Sequence, residues 1–81
     1  ALFISTEELH WIDPVERMEV GEHRRYMVRI RYRQPLQQAE LIMESEGLYI
    51  LFDEPQRGIT QGQFAAWYDG ARLIGSGEIA K

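Results

Sequence analysis

The sequence contains few residues whose types and spacing could support catalysis. His10 and His23 are too far apart for the i, i+4 spacing of a metal-binding helix face, so satisfied or solvated side chains are the simpler interpretation. Asp53 and Glu54 could act with Asp69 as an acid and a base, but carboxylates beside turns usually cap the turn or face solvent. We therefore predict neither a metal site nor acid–base catalysis.

Nucleophilic catalysis is excluded on similar grounds. The chain has no cysteine, so it can form no disulfide, no thiolate zinc site and no cysteine nucleophile. Three serines lack the context of a nucleophile elbow, and no motif places histidine or lysine beside them: Ser5, Ser45 and Ser76. We expect that the isolated domain is not an enzyme and holds no cofactor.

Arginine is the residue type whose spacing does predict a function. Residues 24–33 contain five arginines and no acid, and alternation places Arg29, Arg31 and Arg33 on one face of a strand. Neighbours on one strand face lie about 6.6 Å apart, a distance of the same order as that between phosphates along a nucleic-acid strand. The planar guanidinium binds phosphate through paired hydrogen bonds and stacks on bases, so the pattern fits RNA.

The same arginines also fit a solvated outer face, on which they pair with acids of the next strand such as Glu40 and Glu44. The formal net charge of −4 does not decide the matter, because charge is sorted along the chain: residues 7–22 carry six acids and one arginine. Screening confines the influence of a charge to about 8 Å at physiological salt, so a partner responds to the local patch. Spacing alone leaves both interpretations open.

Alternation of apolar and polar residues predicts that short strands make up the fold. One apolar strand face comprises Tyr26, Val28, Ile30 and Tyr32. Residues 39–43 and 48–52 flank a Ser-Glu-Gly turn and predict a hairpin, and residues 64–68 and 73–79 predict a second hairpin with Asp69-Gly70 at the centre of its turn. Trp67 is out of phase with Phe64, Ala66 and Tyr68, so we expect it on the outer face.

The last predicted strand contains Gly75 and Gly77, which favour a tight bend over a phosphate loop because neither a lysine nor a helix follows. At the other end of the chain, residues 2–4 read as a short strand, residues 5–8 as one helical turn, and residues 13–23 and 53–62 as loops. Six or seven strands with little helix would leave unpaired edges unless the sheet closes. We therefore predict an all-β fold, a small antiparallel closed barrel.

Size and composition limit the fold to one domain, residues 1–81, because so short a chain supports one core. No apolar run is long enough to span a bilayer or to form a signal peptide, so no membrane partner is expected and a cytoplasmic location fits. The chain begins at Ala1 without a methionine and enters an apolar strand at once. We expect a fragment of a longer protein.

Three segments, in order and spacing, resemble the tRNA-specific 2-thiouridylases, whose older label is tRNA (5-methylaminomethyl-2-thiouridylate)-methyltransferase. The first segment is Val28-Arg29-Ile30-Arg31-Tyr32-Arg33-Gln34. The second joins residues 52–57 to Ile59-Thr60-Gln61-Gly62-Gln63, and the third joins Tyr68-Asp69-Gly70 to Gly75-Ser76-Gly77. Leu9-His10-Trp11-Ile12 is similar to the opening of the last domain of that family. The sequence departs from the family at Gln61, which usually is proline, and at Ser76, which usually is glycine.

The resemblance implies a C-terminal β-barrel, similar to those of aminomethyltransferases and of elongation-factor second domains, that helps to hold tRNA. It implies a parent enzyme whose ATP-pyrophosphatase domain adenylates the wobble uridine, with ATP, magnesium and persulfide-carrying cysteines all outside this chain. We accordingly predict tRNA binding by Arg29, Arg31, Arg33 and Gln34, with the catalytic domain of the same chain as a second partner. Two alternatives stay open: a module whose acidic N-terminal segment docks a sulfur-relay protein, and a free-standing RNA-binding barrel.

Overall fold

The computed structural model of the chain describes residues 2–30, 34–56 and 58–80. Its elements are, in order, β1 (Leu2–Ser5), a 3-10 turn (Thr6–Glu8), β2 (Leu9–Trp11), a second 3-10 turn (Pro14–Glu16), β3 (His23–Arg29), β4 (Gln37–Met43), β5 (Gly47–Phe52), β6 (Phe64–Asp69) and β7 (Arg72–Glu78). The prediction of an all-β fold with six or seven strands is confirmed.

All seven strands form one antiparallel sheet in the order β1-β5-β4-β3-β6-β7-β2. Both predicted hairpins are present, as β4 with β5 and β6 with β7. The turn of the second hairpin has Gly70 and Ala71 at its centre instead of Asp69 and Gly70, because Asp69 pairs with Arg72. The β6–β7 pairing shifts register at Trp67/Tyr68, and Gly70 supplies the positive φ of 63° in the turn.

β1 and β2 are the two edge strands of the sheet, so strand pairing alone does not form the expected closed barrel. Among the described residues, β1 and β2 do not pair with each other, because they follow end to end along β7 and its continuation. Leu9 of β2 pairs with Gly77, and the N–H of Ala80 donates to the carbonyl oxygen of Phe3 in β1 at 2.8 Å. We call this meeting of β1 with the chain after β7 the seam.

The two departures from the family pattern are accommodated locally. Gln61 donates from its side-chain amide to the carbonyl oxygen of Ala80 at 2.5 Å, so it supports the residue that forms the seam. Ser76 lies opposite His10 and Ala66 and is half-buried, between two buried glycines. A side chain at position 76 therefore points away from the core, and glycine is not required there.

The core is built from the inward faces that alternation predicts for three strands. Val28, Leu41 and Ile50 are fully buried, and Tyr26 and Phe52 pack against them from partly buried positions. Burial of such side chains supplies the main favourable free energy of folding. The apolar inward faces of β3, β4 and β5 thus place the polar faces of the same strands outside.

The prediction that Trp67 lies on the outer face is wrong. Trp67 is 0% exposed and packs against Trp11 with ring centroids 5.5 Å apart, whereas Phe64 is 57% exposed. Gly75 makes the space, because a Cβ atom there would lie 2.8 Å from Trp67 Nε1 and 2.8 Å from the carbonyl oxygen of His10. The glycines of β7 therefore serve close packing within the protein, because protein atoms fill the space above them.

Candidate nucleic-acid interface

The basic segment occupies the middle of the sheet, where β3 is paired on both sides. β4 lies on one side of β3 and β6 on the other, so the outer face of β3 carries Arg25, Met27 and Arg29 in a row. Met27 lies directly between Gln38 of β4 and Tyr68 of β6. Strand alternation thus presents two of the five arginines of residues 24–33 on one outward surface.

Arg24 points to the other side of β3 and has a structural role. Its guanidinium donates to the carboxylate of Glu22 at 3.0 Å, to the backbone oxygen of Glu16 at 2.8 Å and to the hydroxyl of Tyr26 at 3.3 Å. The hydrogen bond to Tyr26, followed by the one to Glu22, raises the pKa of Arg24 above its ordinary value. Arg24 therefore ties the acidic loop before β3 to the strand.

Arg25 is also committed to an acid. It donates to the carboxylate of Asp53 at 2.5 Å, and this hydrogen bond lowers the pKa of Asp53 and raises the pKa of Arg25. The pair joins β3 to the loop that follows β5. Because the side chains of both residues are about half exposed, the pair positions the loop more than it stabilises the fold.

Arg29, the first predicted RNA-binding residue, lies at the end of β3 on the outer face and is half-buried. Its guanidinium donates to the hydroxyl of Tyr68 at 3.2 Å, and its central carbon lies 5.2 Å from the centroid of the Tyr68 ring. Such an arrangement is a cation–π contact. These two contacts orient the guanidinium on the outer face.

Gln34, the last predicted RNA-binding residue, makes two contacts within the protein. Its Oε1 accepts from the backbone N–H of Ile30 at 3.2 Å, and its Nε2 donates to Oε1 of Gln56 at 3.2 Å. Gln34 thus links the end of β3 to the loop after β5. The remaining two predicted residues, Arg31 and Arg33, lie outside the described residues.

The acids proposed as alternative partners for the arginines lie on β4 and in the β4–β5 turn. Glu40 is opposite Arg25 in the β3–β4 register, and its Oε2 lies 2.9 Å from Nδ1 of His23. The backbone of Glu44 forms the β4–β5 turn with Gly47. Pairing of β3 with β4 ends at Val28 and Gln37, one residue before Arg29.

The other candidate residues are not brought together into a catalytic arrangement. Asp53 is bound by Arg25, and Asp69 lies at the turn of a different hairpin. Across the part of the chain that the structure describes, no three histidine or acidic residues are grouped as a metal would need. In the same residues, every helical segment is too short to cross a bilayer.

Tyr68, which the sequence predicts only as part of a hairpin, belongs to this surface. Tyr68 is half-buried on the outer face of β6 and borders a depression of about 160 Å³. The residues that line it are Arg25, Tyr26, Met27, Gln38, Tyr68, Asp69 and Gly70. An outward aromatic residue on the strand beside a basic strand is the signal that could have identified it, because aromatic and basic residues together are typical of RNA-binding sheets.

Comparisons with known proteins agree with the resemblance seen in the sequence. The chain is 50% identical over 99% of its length to the tRNA-specific 2-thiouridylase MnmA of Flavobacterium johnsoniae and 48% identical over 98% to that of Christiangramia forsetii. It is 41% identical over 88% of its length to the same enzyme of Pseudomonas aeruginosa. The chain spans about a fifth of the length of these relatives: 20%, 20% and 18%.

A family model described as the aminomethyltransferase beta-barrel domain matches residues 3–79. The matched range begins in β1 and extends one residue beyond β7, so it contains every strand that forms the outward surface of β3 and β6. The chain therefore belongs to the aminomethyltransferase beta-barrel domain family, in the form carried by tRNA-specific 2-thiouridylases.

Proposed function

We propose that this domain binds and positions tRNA within an enzyme that adds sulfur to position 2 of the wobble uridine. The observation that carries the proposal is the arrangement of Arg29 and Tyr68 on the outer face of β3 and β6. The ring and hydroxyl of Tyr68 orient the Arg29 guanidinium there, so a cation and an aromatic ring lie side by side. The relatives, named as tRNA-specific enzymes, support tRNA as the nucleic acid.

The role that follows is placement of substrate, not bond making. Contacts from arginine to phosphate fix the register and orientation of a nucleic acid without reading its sequence. We propose that Arg29, Arg31, Arg33 and Gln34 form this contact surface. In this proposal, adenylation with ATP and magnesium and delivery of persulfide sulfur belong to the rest of a cytoplasmic parent enzyme. We also propose that the seam closes the sheet into a barrel.

Charge reversal tests the proposal in the full-length protein. Arg29, Arg31 and Arg33 are changed singly to glutamate, with Arg17→Glu as the control because Arg17 is exposed on the acidic segment. Loss of one charge-assisted contact is expected to weaken tRNA binding by about 1.5 to 3 kcal/mol at low salt. The slope of log affinity against log salt should also become shallower by about one.

Sulfur transfer at saturating tRNA should stay near normal, because a contact made equally in the ground and transition states does not change the maximal rate. The control variant should bind tRNA as the wild type does. If all three β3 variants also bind tRNA normally at low salt, the arginines form only a solvated face and the proposal fails.

A second candidate function, docking of a protein partner such as a sulfur-relay protein, is favoured by a different surface. Ile12, Val15 and Val20 are 59%, 85% and 65% exposed, and all three lie within the acidic residues 7–22. Val20 lines a groove of about 270 Å³ together with Trp11 and Met18. Exposed apolar residues grouped in this way are typical of protein interaction sites.

Serine substitution at Val15 and Val20 separates the two functions. If the surface docks a sulfur-relay protein, the double variant should lose binding to that protein while its affinity for tRNA stays unchanged. Unchanged binding to the relay protein would remove this candidate and leave the tRNA proposal unaffected.

A further inference from the structure

Tyr68 is flanked differently on its two sides along β3. Its register partner is Met27, and Arg25 and Arg29 lie two residues to either side of Met27 on the same face. Arg29 approaches the ring from one side, with its guanidinium carbon 5.2 Å from the ring centroid. The depression reaches Tyr68 from the other side, where Arg25 and the Asp69-Gly70 turn line it.

We infer that this depression is a base-stacking subsite, in which one unpaired nucleobase of a bound RNA stacks on Tyr68. The inference rests on the proposed function and adds to it the part of the RNA that this surface holds. Aromatic rings hold unpaired bases by stacking, while neighbouring cationic groups follow the phosphates. Arg29 on one side of Tyr68 and a base on the other would form a continuous stack.

The dimensions and lining of the depression fit one base. Its volume of about 160 Å³ corresponds to roughly five water molecules, which is the space of a single planar heterocycle. Met27 provides apolar surface beneath, and Gln38 and Asp69 are among the residues that line the depression. An amide and a carboxylate are groups that hydrogen bond to base edges.

The charges around the depression favour a ligand that carries phosphate. Arg25 lines it and Arg29 adjoins it through Tyr68, so both ends of the Tyr68 surface carry a guanidinium. Arg25 is paired with Asp53, and Arg29, which is held over the Tyr68 ring, adjoins the place that the phosphate of a stacked base would occupy. A nucleotide can stack its base on the Tyr68 ring and place its phosphate against Arg29.

The test compares two RNA probes in the full-length protein: a short single-stranded oligouridylate and a matched oligomer that lacks its bases. The variants are Tyr68→Ala and Tyr68→Leu, which remove the aromatic face, and Tyr68→Phe, which removes only the hydroxyl bound to Arg29. Tyr68→Leu keeps an apolar side chain against Met27, so it remains informative if the alanine variant does not fold. Tyr49→Ala is the control, because Tyr49 is another half-buried tyrosine, packed on Phe3 at 4.8 Å.

The measured quantity is the ratio of the affinities for the two probes. We expect Tyr68→Ala and Tyr68→Leu to lower this ratio about fivefold or more, which corresponds to the loss of one stacked base, in addition to any equal weakening of both probes through the orientation of Arg29. Tyr68→Phe and Tyr49→Ala should keep the wild-type ratio.

Equal weakening of both probes by Tyr68→Ala and Tyr68→Leu would overturn the inference, because Tyr68 would then act only by orienting Arg29. Unchanged affinity for both probes in these two variants would overturn it as well. Neither result would contradict tRNA positioning, which is judged separately by the charge-reversal variants of Arg29, Arg31 and Arg33.

Discussion

Replacing Gly77 by alanine should destabilise the fold at the place where the two ends of the sheet meet. The backbone of Gly77 has ordinary strand geometry, so alanine is excluded by space alone. Its Cβ would lie 2.6 Å from Cγ2 of Ile4 and 2.9 Å from the carbonyl oxygen of Glu8, whereas nonbonded carbon atoms prefer about 3.5 to 4.0 Å. Ile4 is fully buried and Glu8 contributes a backbone atom, so neither can move without displacing β1 or the 3-10 turn after it.

The magnitude is the difference between two effects. Insertion of a methyl group into a packed core costs about 1 to 3 kcal/mol. Exchange of glycine for alanine also restricts the unfolded chain, which stabilises the fold by about 0.4 to 1 kcal/mol. We therefore expect a net loss of about 1 to 2 kcal/mol, which lowers the melting temperature of a domain of this size by roughly 4 to 16 °C.

Thermal and urea unfolding of the domain measure this loss, with Ser76→Ala as the control. Ser76 lies between the two buried glycines on the outward side of β7, so its change should fall within about 0.5 kcal/mol. Ile4→Leu removes the branch atom Cγ2 and should restore part of the stability when combined with Gly77→Ala. A Gly77→Ala variant as stable as the wild type would refute the close approach of β1 to β7.

Three further predictions concern the core, an ion pair and metal. In a Trp11→Phe variant, the emission of Trp67 should resist quenching by iodide, and quenching as strong as that of free indole would contradict its burial. Arg25→Gln should raise the pKa of Asp53 toward its ordinary value, as followed by titration of the carboxyl carbon. Because a lowered carboxyl pKa stabilises the fold above the unfolded-state pKa and this contribution is lost as pH falls through the folded-state pKa, acidification should destabilise the wild type more than the variant. A larger acid sensitivity in the variant would be inconsistent with that sign. A chelator should leave the far-ultraviolet spectrum and melting curve unchanged, since no ligand cluster is present among the described residues.

Local pattern was sufficient to predict the strands other than β2, but not the side of the sheet on which each face lies. In β3, β4 and β5 the apolar residues that recur at every second position lie on the buried face, so alternation identified the core correctly. In β6 both faces carry aromatic residues, and the period of two states only that Trp67 opposes Tyr68. The deciding feature is the space above Gly75 on the neighbouring strand, which is a property of the packed pair of strands and not of either segment.

The candidate site shows the same limit. The sequence identifies the arginines of β3, yet the acids that neutralise Arg24 and Arg25 come from the loops before β3 and after β5. Arg25 and Asp53 are 28 residues apart, so only the folded register brings them together. Glu40 lies opposite Arg25 in the β3–β4 register, but its carboxylate contacts His23, whose register partner is Ile42. Which arginines remain for a ligand is therefore decided by tertiary structure.

The position of β3 in the middle of the sheet bears on the entropy of the proposed RNA binding. Arg29 and Tyr68 lie on adjacent strands that are hydrogen bonded to each other, and each side chain is already held by the other before any ligand arrives. Ordering a flexible side chain at an interface costs about 0.5 to 1.5 kcal/mol, and here that cost is met during folding. In the proposed tRNA contact, the surface is thus preorganised, because the spacing of ring and cation is fixed before the RNA arrives.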